Sequence, residues 1–133
     1  MRELRLIDMS LIYETEEHDA SLALKLAERI LIMENWTIPI AVEYSNLFIM
    51  DGHHRFNAAK NIGLKRLPCI LMDYKSSGIK LHSWRSDIHV SIDNIFSMAR
   101  QGKKYPYKTT RHIFQPPIDE INVPLELLYW KLI

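Results

Sequence analysis

The residues of this 133-residue chain that are best suited to chemistry form the run Asp51-Gly52-His53-His54-Arg55. An apolar stretch before the run predicts the end of a buried strand, and a helical pattern follows it. The start of a helix leaves backbone N–H groups without helical partners at the positive end of the helix dipole, which suits a phosphate. Two histidines and an arginine add nitrogen atoms to the same turn. The run therefore predicts an anion-binding site.

Two other interpretations fit the same residues. Asp51 is a favoured type of helix N-cap and Gly52 a common turn residue, which would leave the histidines in solvent. A two-histidine metal site is disfavoured, because adjacent residues on a helix point about 100° apart. The density of polar groups on one turn favours the anion site over both.

A second cluster, Lys108-Thr109-Thr110-Arg111-His112, offers hydrogen-bond donors or potential donors and one permanently charged guanidinium. Read alone, this segment is equally consistent with a solvated basic loop. Two such clusters in one small chain favour a polyanionic ligand. The chain carries 17 basic and 16 acidic residues, a formal net charge of +1, so it has no excess charge to spread over nucleic acid. A nucleotide or other small phosphorylated ligand fits better.

Three carboxylates, Glu14, Glu16 and Glu17, precede an amphipathic pattern that predicts a helix from near Asp19 or Ser21 to near Asn35. Acidic groups in that place stabilise the helix dipole, which is the simplest account of them. The apolar face of this helix is formed by residues spaced at i, i+4, i+8 and i+11, namely Leu22, Leu26, Ile30 and Met33, with Ala23 and Ala27 alongside.

The remaining pattern predicts an α/β (α+β) fold, a small mixed sheet with packed helices, in one domain. We assign no helix or strand to residues 105–112. The predicted strands are Leu4–Met9, Ile38–Glu43 and Leu47–Met50 as a hairpin, Cys69–Tyr74, and Ile79–Trp84. The predicted helices are Gly52–Asn61, stopped by Gly63, then Ser91–Arg100, and a short tail helix within Ile121–Ile133.

Composition points to a cytoplasmic protein. The chain is 47% hydrophobic, which is enough for a core, and its single cysteine, Cys69, lies in an apolar run and suits a reducing compartment as an inert core residue. No window of 18 uncharged apolar residues exists, and the first residues do not resemble a signal peptide, so no membrane association is expected.

The turn Asp51–Arg55, followed by an alanine-containing helix and Gly63, resembles the signature of the ParB/sulfiredoxin-like superfamily. Within it the chain most closely resembles the free L-serine kinases, which phosphorylate serine with ADP or ATP. Four segments carry the resemblance, in the family's order: 15–19 with the helix ending 26–30; 51–55 with Gly63 and Pro68; 73–84; and 108–112 with 121–128. The combination of DGHHR, KTTRH and the upstream glutamate is specific, and it spans nearly the whole chain.

The resemblance implies roles for individual residues. Glu16 would accept the proton of the serine hydroxyl, and Asp51 would orient serine or a magnesium ion. Trp84 would wall the serine pocket, with a core role left open. The residues implied to bind nucleotide and phosphate are Gly52, His53, His54, Arg55, Lys108, Thr109, Thr110, Arg111 and His112. The implied cofactors are ATP or ADP and Mg²⁺, the latter without an all-protein metal cage.

Two departures from the family pattern affect this expectation. Thr15 stands where the family usually has histidine, and the stretch between Trp84 and Lys108 is shorter than in the kinases, so the chain resembles a trimmed version of them. A non-catalytic nucleotide-binding ParB-like sensor or transcriptional regulator is the alternative, although no helix-turn-helix or basic face accompanies it. Sulfiredoxin-like repair is rejected because the signature turn has no cysteine. The sequence is compatible with a monomer or a homodimer.

Overall fold

The structure, a computed structural model, describes residues 2–76 and 78–130. Its strands are β1 (Arg2–Asp8), β2 (Asn35–Trp36), β3 (Ile40–Glu43), β4 (Ile49–Asp51), β5 (Arg66–Met72), β6 (Ile79–Ser83), β7 (Thr110–Phe114) and β8 (Val123–Pro124). Its helices are α1 (Ala20–Met33), α2 (His53–Ile62) and α3 (Ile92–Arg100). The predicted α/β fold is confirmed.

A four-stranded mixed sheet, in the order β1-β5-β3-β4, forms the centre of the fold. β3 runs parallel to β5, and the other neighbours are antiparallel. All four residues of β3 are buried, as expected for a strand covered on both faces. Cys69 on β5 is also buried, and burial raises the pKa of its thiol to about 12, which confirms the prediction of an unreactive core cysteine.

The helix α2 follows β4 directly, and this connection positions the first turn of α2 at the sheet edge. The predicted hairpin of β3 and β4 is confirmed. So is the predicted end of α2 at Gly63, which adopts a left-handed φ of 90° and donates its N–H to the carbonyls of Ala59 and Lys60.

The packing of α1 differs from the prediction in part. Its start is confirmed, since the Asp19 carboxylate caps the N–H groups of Ser21 and Leu22. Of the predicted apolar face, Ala23 and Ala27 are buried, whereas Leu22 is 39% exposed. Because α1 packs against α2, which presents alanines of its own, small side chains let the two helices approach closely, and the leucine stripe is displaced to the flank.

The C-terminal third holds two further corrections. The segment 105–112 is not all loop, because residues from Thr110 onward form β7 and pair with β6. The predicted short tail helix is confirmed only in part within the described residues: Val123 and Pro124 form β8 against β2, and a single 3-10 turn, Leu125–Leu128, follows. One turn is enough to bury Leu125 and Leu128, since residues three apart share a face. Residues 131–133 of the predicted helix lie outside the described part of the chain.

The close α1–α2 contact generates a stability prediction. Ala23 is fully buried, so Ala23→Leu should overpack the contact and lower the free energy of unfolding by about 1–3 kcal/mol. Leu24, which is 54% exposed on the same helix, is the matched control, and Leu24→Ala should change stability by about 0.5 kcal/mol or less. Urea denaturation of both variants measures the difference, and equal effects would contradict this packing.

Candidate functional site

Three chain segments meet around an open cleft of about 460 Å³. They are the first turn of α2, the segment before α1, and the segment before β7. The cleft brings together most of the residues predicted from sequence: Glu16, Asp51, Gly52, His53, His54, Arg55, Trp84, Lys108 and Thr110. Thr109, Arg111 and His112 do not line it.

Glu16 is the buried carboxylate of the cleft, with 7% of its surface exposed. Its Oε1 accepts three hydrogen bonds: from the Thr109 backbone N–H at 3.1 Å, the Thr110 backbone N–H at 2.7 Å and the Thr110 hydroxyl at 2.9 Å. Oε2 takes part in none of these bonds. The donors therefore fix the orientation of the carboxylate and leave its second oxygen for the cleft. Glu16 is thus held within the fold and is not a freely solvated helix-end charge.

The turn that binds Glu16 has an unusual backbone. Lys108 adopts a left-handed φ of 55°, which a non-glycine residue rarely does, and the Thr109 hydroxyl donates to the Pro106 carbonyl at 2.6 Å. With Lys108 in this conformation, the next two N–H groups converge on one oxygen, an arrangement suited to anions. The strain at Lys108 is therefore a local cost of presenting these donors to Glu16.

The start of α2 depends on Gly52. Its φ is 115°, and a Cβ at this position would lie 2.7 Å from Cδ1 of the buried Ile40. Gly52 is the N-cap of α2, and among the described residues no side chain caps this helix. The alternative with Asp51 as N-cap is therefore wrong. The first-turn N–H groups remain available at a cleft-lining helix end, as an anion site requires.

Arg55 is largely committed to the protein itself. Its Nη1 donates to the carbonyls of Ile38 at 3.0 Å and Pro39 at 2.9 Å, and its Nη2 lies 3.4 Å from the Asp51 carboxylate. Burial lowers the pKa of Arg55, and the Asp51 charge opposes that shift. The Asp51 side chain is 58% exposed, so it pairs with Arg55 while still facing solvent in the cleft.

The two histidine rings reach away from α2 to the segment that carries Glu16. Nε2 of His53 accepts the N–H of Thr15 at 3.1 Å, and Nε2 of His54 accepts the N–H of Asp19 at 3.0 Å. Burial lowers the pKa of His53 to about 3, and burial followed by the nearby His18 lowers the pKa of His54. Both rings are therefore neutral near pH 7, and His53 is not solvated as the N-cap interpretation required.

Trp84 stands at the cleft with cations over its ring. Its side chain is half exposed, which excludes the core role left open for it. The Lys108 ammonium lies 5.2 Å and the Arg111 guanidinium 4.4 Å from the indole. Cation–π attraction thus holds Lys108 at the cleft wall and Arg111, which does not line the cleft, on the same ring.

Two predicted residues have other surroundings. His112 bonds the Tyr74 hydroxyl at 2.6 Å and stacks on Phe114, and burial lowers the pKa of its ring to about 4. The Thr109 side chain is buried against Pro106, so only its backbone serves the cleft. Neither side chain reaches a ligand in the cleft.

Sequence reasoning missed the apolar part of the cleft, formed by Leu22, Leu26, Ile38, Met50 and Tyr107. The first two were read as core residues because helical spacing cannot distinguish the floor of a cleft from a core. Tyr107 offered a signal, since it directly precedes the second polar cluster.

The described residues contain neither a cluster of metal ligands nor a membrane-spanning helix. Within 2–76 and 78–130, no group of three or more His, Cys, Asp and Glu side chains could hold a metal ion. In the same ranges, none of the helices combines the length and the apolar character that a membrane crossing needs.

Known proteins resemble the chain in sequence and in fold. A ParB-like protein of Sulfolobus acidocaldarius is 38% identical over 104 residues, 77% of this chain and 51% of that protein. An ATP-dependent L-serine kinase of Desulfurococcus mucosus is 40% identical over 55 residues, 41% of this chain and 22% of the kinase. A free serine kinase in complex with AMP matches 94% of this chain and 93% of its own with a TM-score of 0.84 at 15% identity.

These comparisons confirm the resemblance to the free L-serine kinases and the ParB-like proteins. The structural match establishes a shared fold. The chain spans about half the length of the first of these relatives and about a fifth of the second. No protein-family model matches the sequence.

The buried histidines predict that the fold loses stability in acid. The pKa of His53 falls from 6.5 to about 3 on folding and that of His112 from 6.5 to about 4, so the unfolded chain binds more protons. Their contribution is complete above pH 6.5 and declines as the pH falls toward 4. Between pH 6.5 and 5 we expect a loss of about 2 kcal/mol for each ring, at about 1.4 kcal/mol per pH unit.

Denaturant unfolding at pH 5 and pH 7 measures this effect. His112→Phe should remove the contribution of one ring from the pH dependence of the free energy of unfolding. The exposed His82 is the control, and His82→Gln should leave the pH dependence as in the wild type. An unchanged slope in His112→Phe would contradict the neutral buried ring.

Proposed function

We propose that the chain is a small-molecule kinase that transfers a phosphoryl group from ATP or ADP to the hydroxyl of free L-serine or a similar amino acid, giving O-phosphoserine. The observation that carries the proposal is the buried, three-fold hydrogen-bonded Glu16 carboxylate in the same cleft as the uncapped start of α2. The resemblance to an ATP-dependent L-serine kinase supports this choice of reaction.

The proposed chemistry uses Glu16 as the general base. As the serine hydroxyl oxygen attacks the terminal phosphorus, its proton passes to Oε2 of Glu16, the oxygen outside the three hydrogen bonds. A bond forms between the serine oxygen and phosphorus, and the bond from phosphorus to the bridging oxygen of the nucleotide breaks. ATP then leaves as ADP, or ADP as AMP.

The phosphates of the donor would lie between two sources of positive potential. One is the first turn of α2, where the N–H groups that follow Gly52 are uncapped by side chains of the described chain. The other is the pair of cations on Trp84, with Lys108 at the cleft wall and Arg111 behind it. Trp84 would face the serine as well as orient these cations. Arg55 would act mainly through Asp51 and the loop carbonyls that it binds.

A magnesium ion fits this donor set without a protein cage. Mg²⁺ in phosphoryl-transfer sites is commonly held by one or two carboxylates together with phosphate oxygens. Asp51 offers an exposed carboxylate at the cleft, and the nucleotide would provide the remaining ligands. When bound, the ion neutralises phosphate charge.

The same function implies a domain organisation, a cellular compartment and a class of partner for the protein. Residues 1–133 would act as one nucleotide-binding domain in the cytoplasm, on small molecules and not on nucleic acid, alone or as a homodimer. A non-catalytic ParB-like nucleotide sensor is the outcome that a negative product assay with retained nucleotide binding would favour.

Glu16→Gln tests the base directly. The amide keeps the size of the carboxylate but cannot accept the proton, so we expect phosphoserine formation to fall by about 10²-fold or more, with nucleotide affinity within about threefold of wild type. Phosphorus NMR with Mg²⁺, L-serine and ATP or ADP measures the product and identifies the donor. Calorimetry measures nucleotide binding.

Glu17→Gln is the matched control, because Glu17 is the exposed neighbour of Glu16 and should retain wild-type turnover. Equal loss of turnover and nucleotide binding in Glu16→Gln would remove the base assignment. Wild-type protein that binds nucleotide but forms no phosphoserine would remove the kinase proposal itself.

Lys108 allows charge and backbone strain to be separated. Lys108→Gly and Lys108→Ala both remove the ammonium group, but only glycine relieves the left-handed backbone. If the charge serves the phosphates, both variants should bind nucleotide about tenfold more weakly, as expected for one lost charged contact. The exposed Lys103 provides the control, since Lys103→Ala should bind as the wild type does. Normal affinity in both Lys108 variants would exclude a phosphate contact.

A further inference from the structure

The first turn of α2 is connected to the Glu16 segment by two imidazole rings. The ring of His53 spans to the backbone of Thr15, 38 residues earlier, and the ring of His54 spans to the backbone of Asp19, 35 residues earlier. Thr15 and Asp19 lie on either side of Glu16. Asp19 is also the N-cap of α1, so the second ring fixes the start of that helix as well.

The chemistry of these bonds defines the state of each ring. A backbone N–H can only donate, so each Nε2 must be an unprotonated acceptor and the proton of each neutral ring must sit on Nδ1. The Thr15 hydroxyl also lies 3.3 Å from Nε2 of His53 and bonds the Ile49 carbonyl at 3.1 Å. Nε2 of each ring is therefore occupied by a backbone N–H of the protein itself, although both histidines line the cleft.

The opposite side of the Glu16 segment is held by backbone bonds. The N–H of Glu17 donates to the Tyr105 carbonyl at 2.8 Å, and the N–H of Tyr105 donates to the Thr15 carbonyl at 2.9 Å. Together with the hydrogen bonds to Oε1 of Glu16, these bonds fix residues 15–17 against residues 105–110, which lead into β7. The histidine rings supply the fixation on the α2 side.

We infer that the side chains of His53 and His54 are positioning residues, which set the Glu16 carboxylate at a fixed place relative to the phosphate-facing start of α2. The phosphate contacts of this turn come from its backbone N–H groups, and the rings act through the 15–19 segment. This inference rests on the proposed function for its kinetic consequence, because a base displaced by about 1 Å can lose about 10²-fold in rate.

His54 is the better residue for the test, because it is partly exposed whereas His53 is buried. His54→Leu removes the acceptor but keeps the backbone N–H in α2. His54→Gln is the matched rescue variant, since its side-chain oxygen can accept the N–H of Asp19 from a similar distance. The two variants separate the loss of one hydrogen bond from the loss of the imidazole.

The first readouts are independent of catalysis. Nitrogen NMR of the wild type should show both rings with protonated Nδ1 and bare Nε2. Amide hydrogen exchange at Asp19 should become about tenfold faster in His54→Leu, as expected when one hydrogen bond is lost, and should return toward the wild-type rate in His54→Gln. Rings protonated on Nε2, or unchanged exchange in His54→Leu, would overturn the inference.

The kinetic readout separates positioning from phosphate binding. His54→Leu should lower kcat by about 10- to 100-fold, with nucleotide Kd within about threefold of wild type, and His54→Gln should recover most of kcat. A large rise in nucleotide Kd with unchanged kcat would make His54 a phosphate ligand and overturn the inference. If the wild type forms no phosphoserine while the NMR and exchange results hold, the proposed function fails and the positioning of the segment stands.

Discussion

The hydrogen bonds between the Glu16 carboxylate and the N–H groups of Thr109 and Thr110 are the constraint on which the cleft depends. They join Glu16 to two residues that lie 93 and 94 positions later in the chain. A buried carboxylate is costly unless donors replace its lost hydration, so these bonds must form for the chain to close in this way. The left-handed Lys108 that directs the donors and the 105–110 segment that presents them follow from the same requirement. Burial of the Glu16 carboxylate therefore determines where the Thr109–Thr110 segment lies at the cleft.

Sequence predicted those features whose signals are local. Gly52 and Gly63 marked both ends of α2 because each occupies a left-handed backbone position next to a helical pattern. The roles of the histidines could not be predicted in the same way. Their partners lie 35 and 38 residues away, and no spacing within the turn reveals whether a ring faces a ligand or the backbone of another segment. Sequence predicted most of the residues that line the cleft, but it could not show which neighbours each of their side chains contacts.

The errors in α1 and in the tail have a common physical origin. Leu22 and Met33 have the right period to face a core but are exposed, because the neighbouring surface is the alanine-lined α2, which favours Ala23 and Ala27 at the contact. In the tail, pairing of Val123 with Trp36 provides backbone hydrogen bonds that a helix would otherwise supply. In both cases the decision depends on which partner surface is present, and hydrophobic periodicity does not contain that information.

A nearly neutral chain can still be suited to an anion, as the proposed function requires, because the relevant charge is local. The formal net charge is +1, yet the cleft combines an uncapped helix start with two cations held on one indole ring. Backbone N–H groups contribute positive potential without adding to the net charge. Thr15, which stands where the free serine kinases usually have histidine, keeps a polar contact beside Glu16, because its N–H and hydroxyl lie close to Nε2 of His53. The small net charge therefore does not argue against the phosphoryl transfer that we propose.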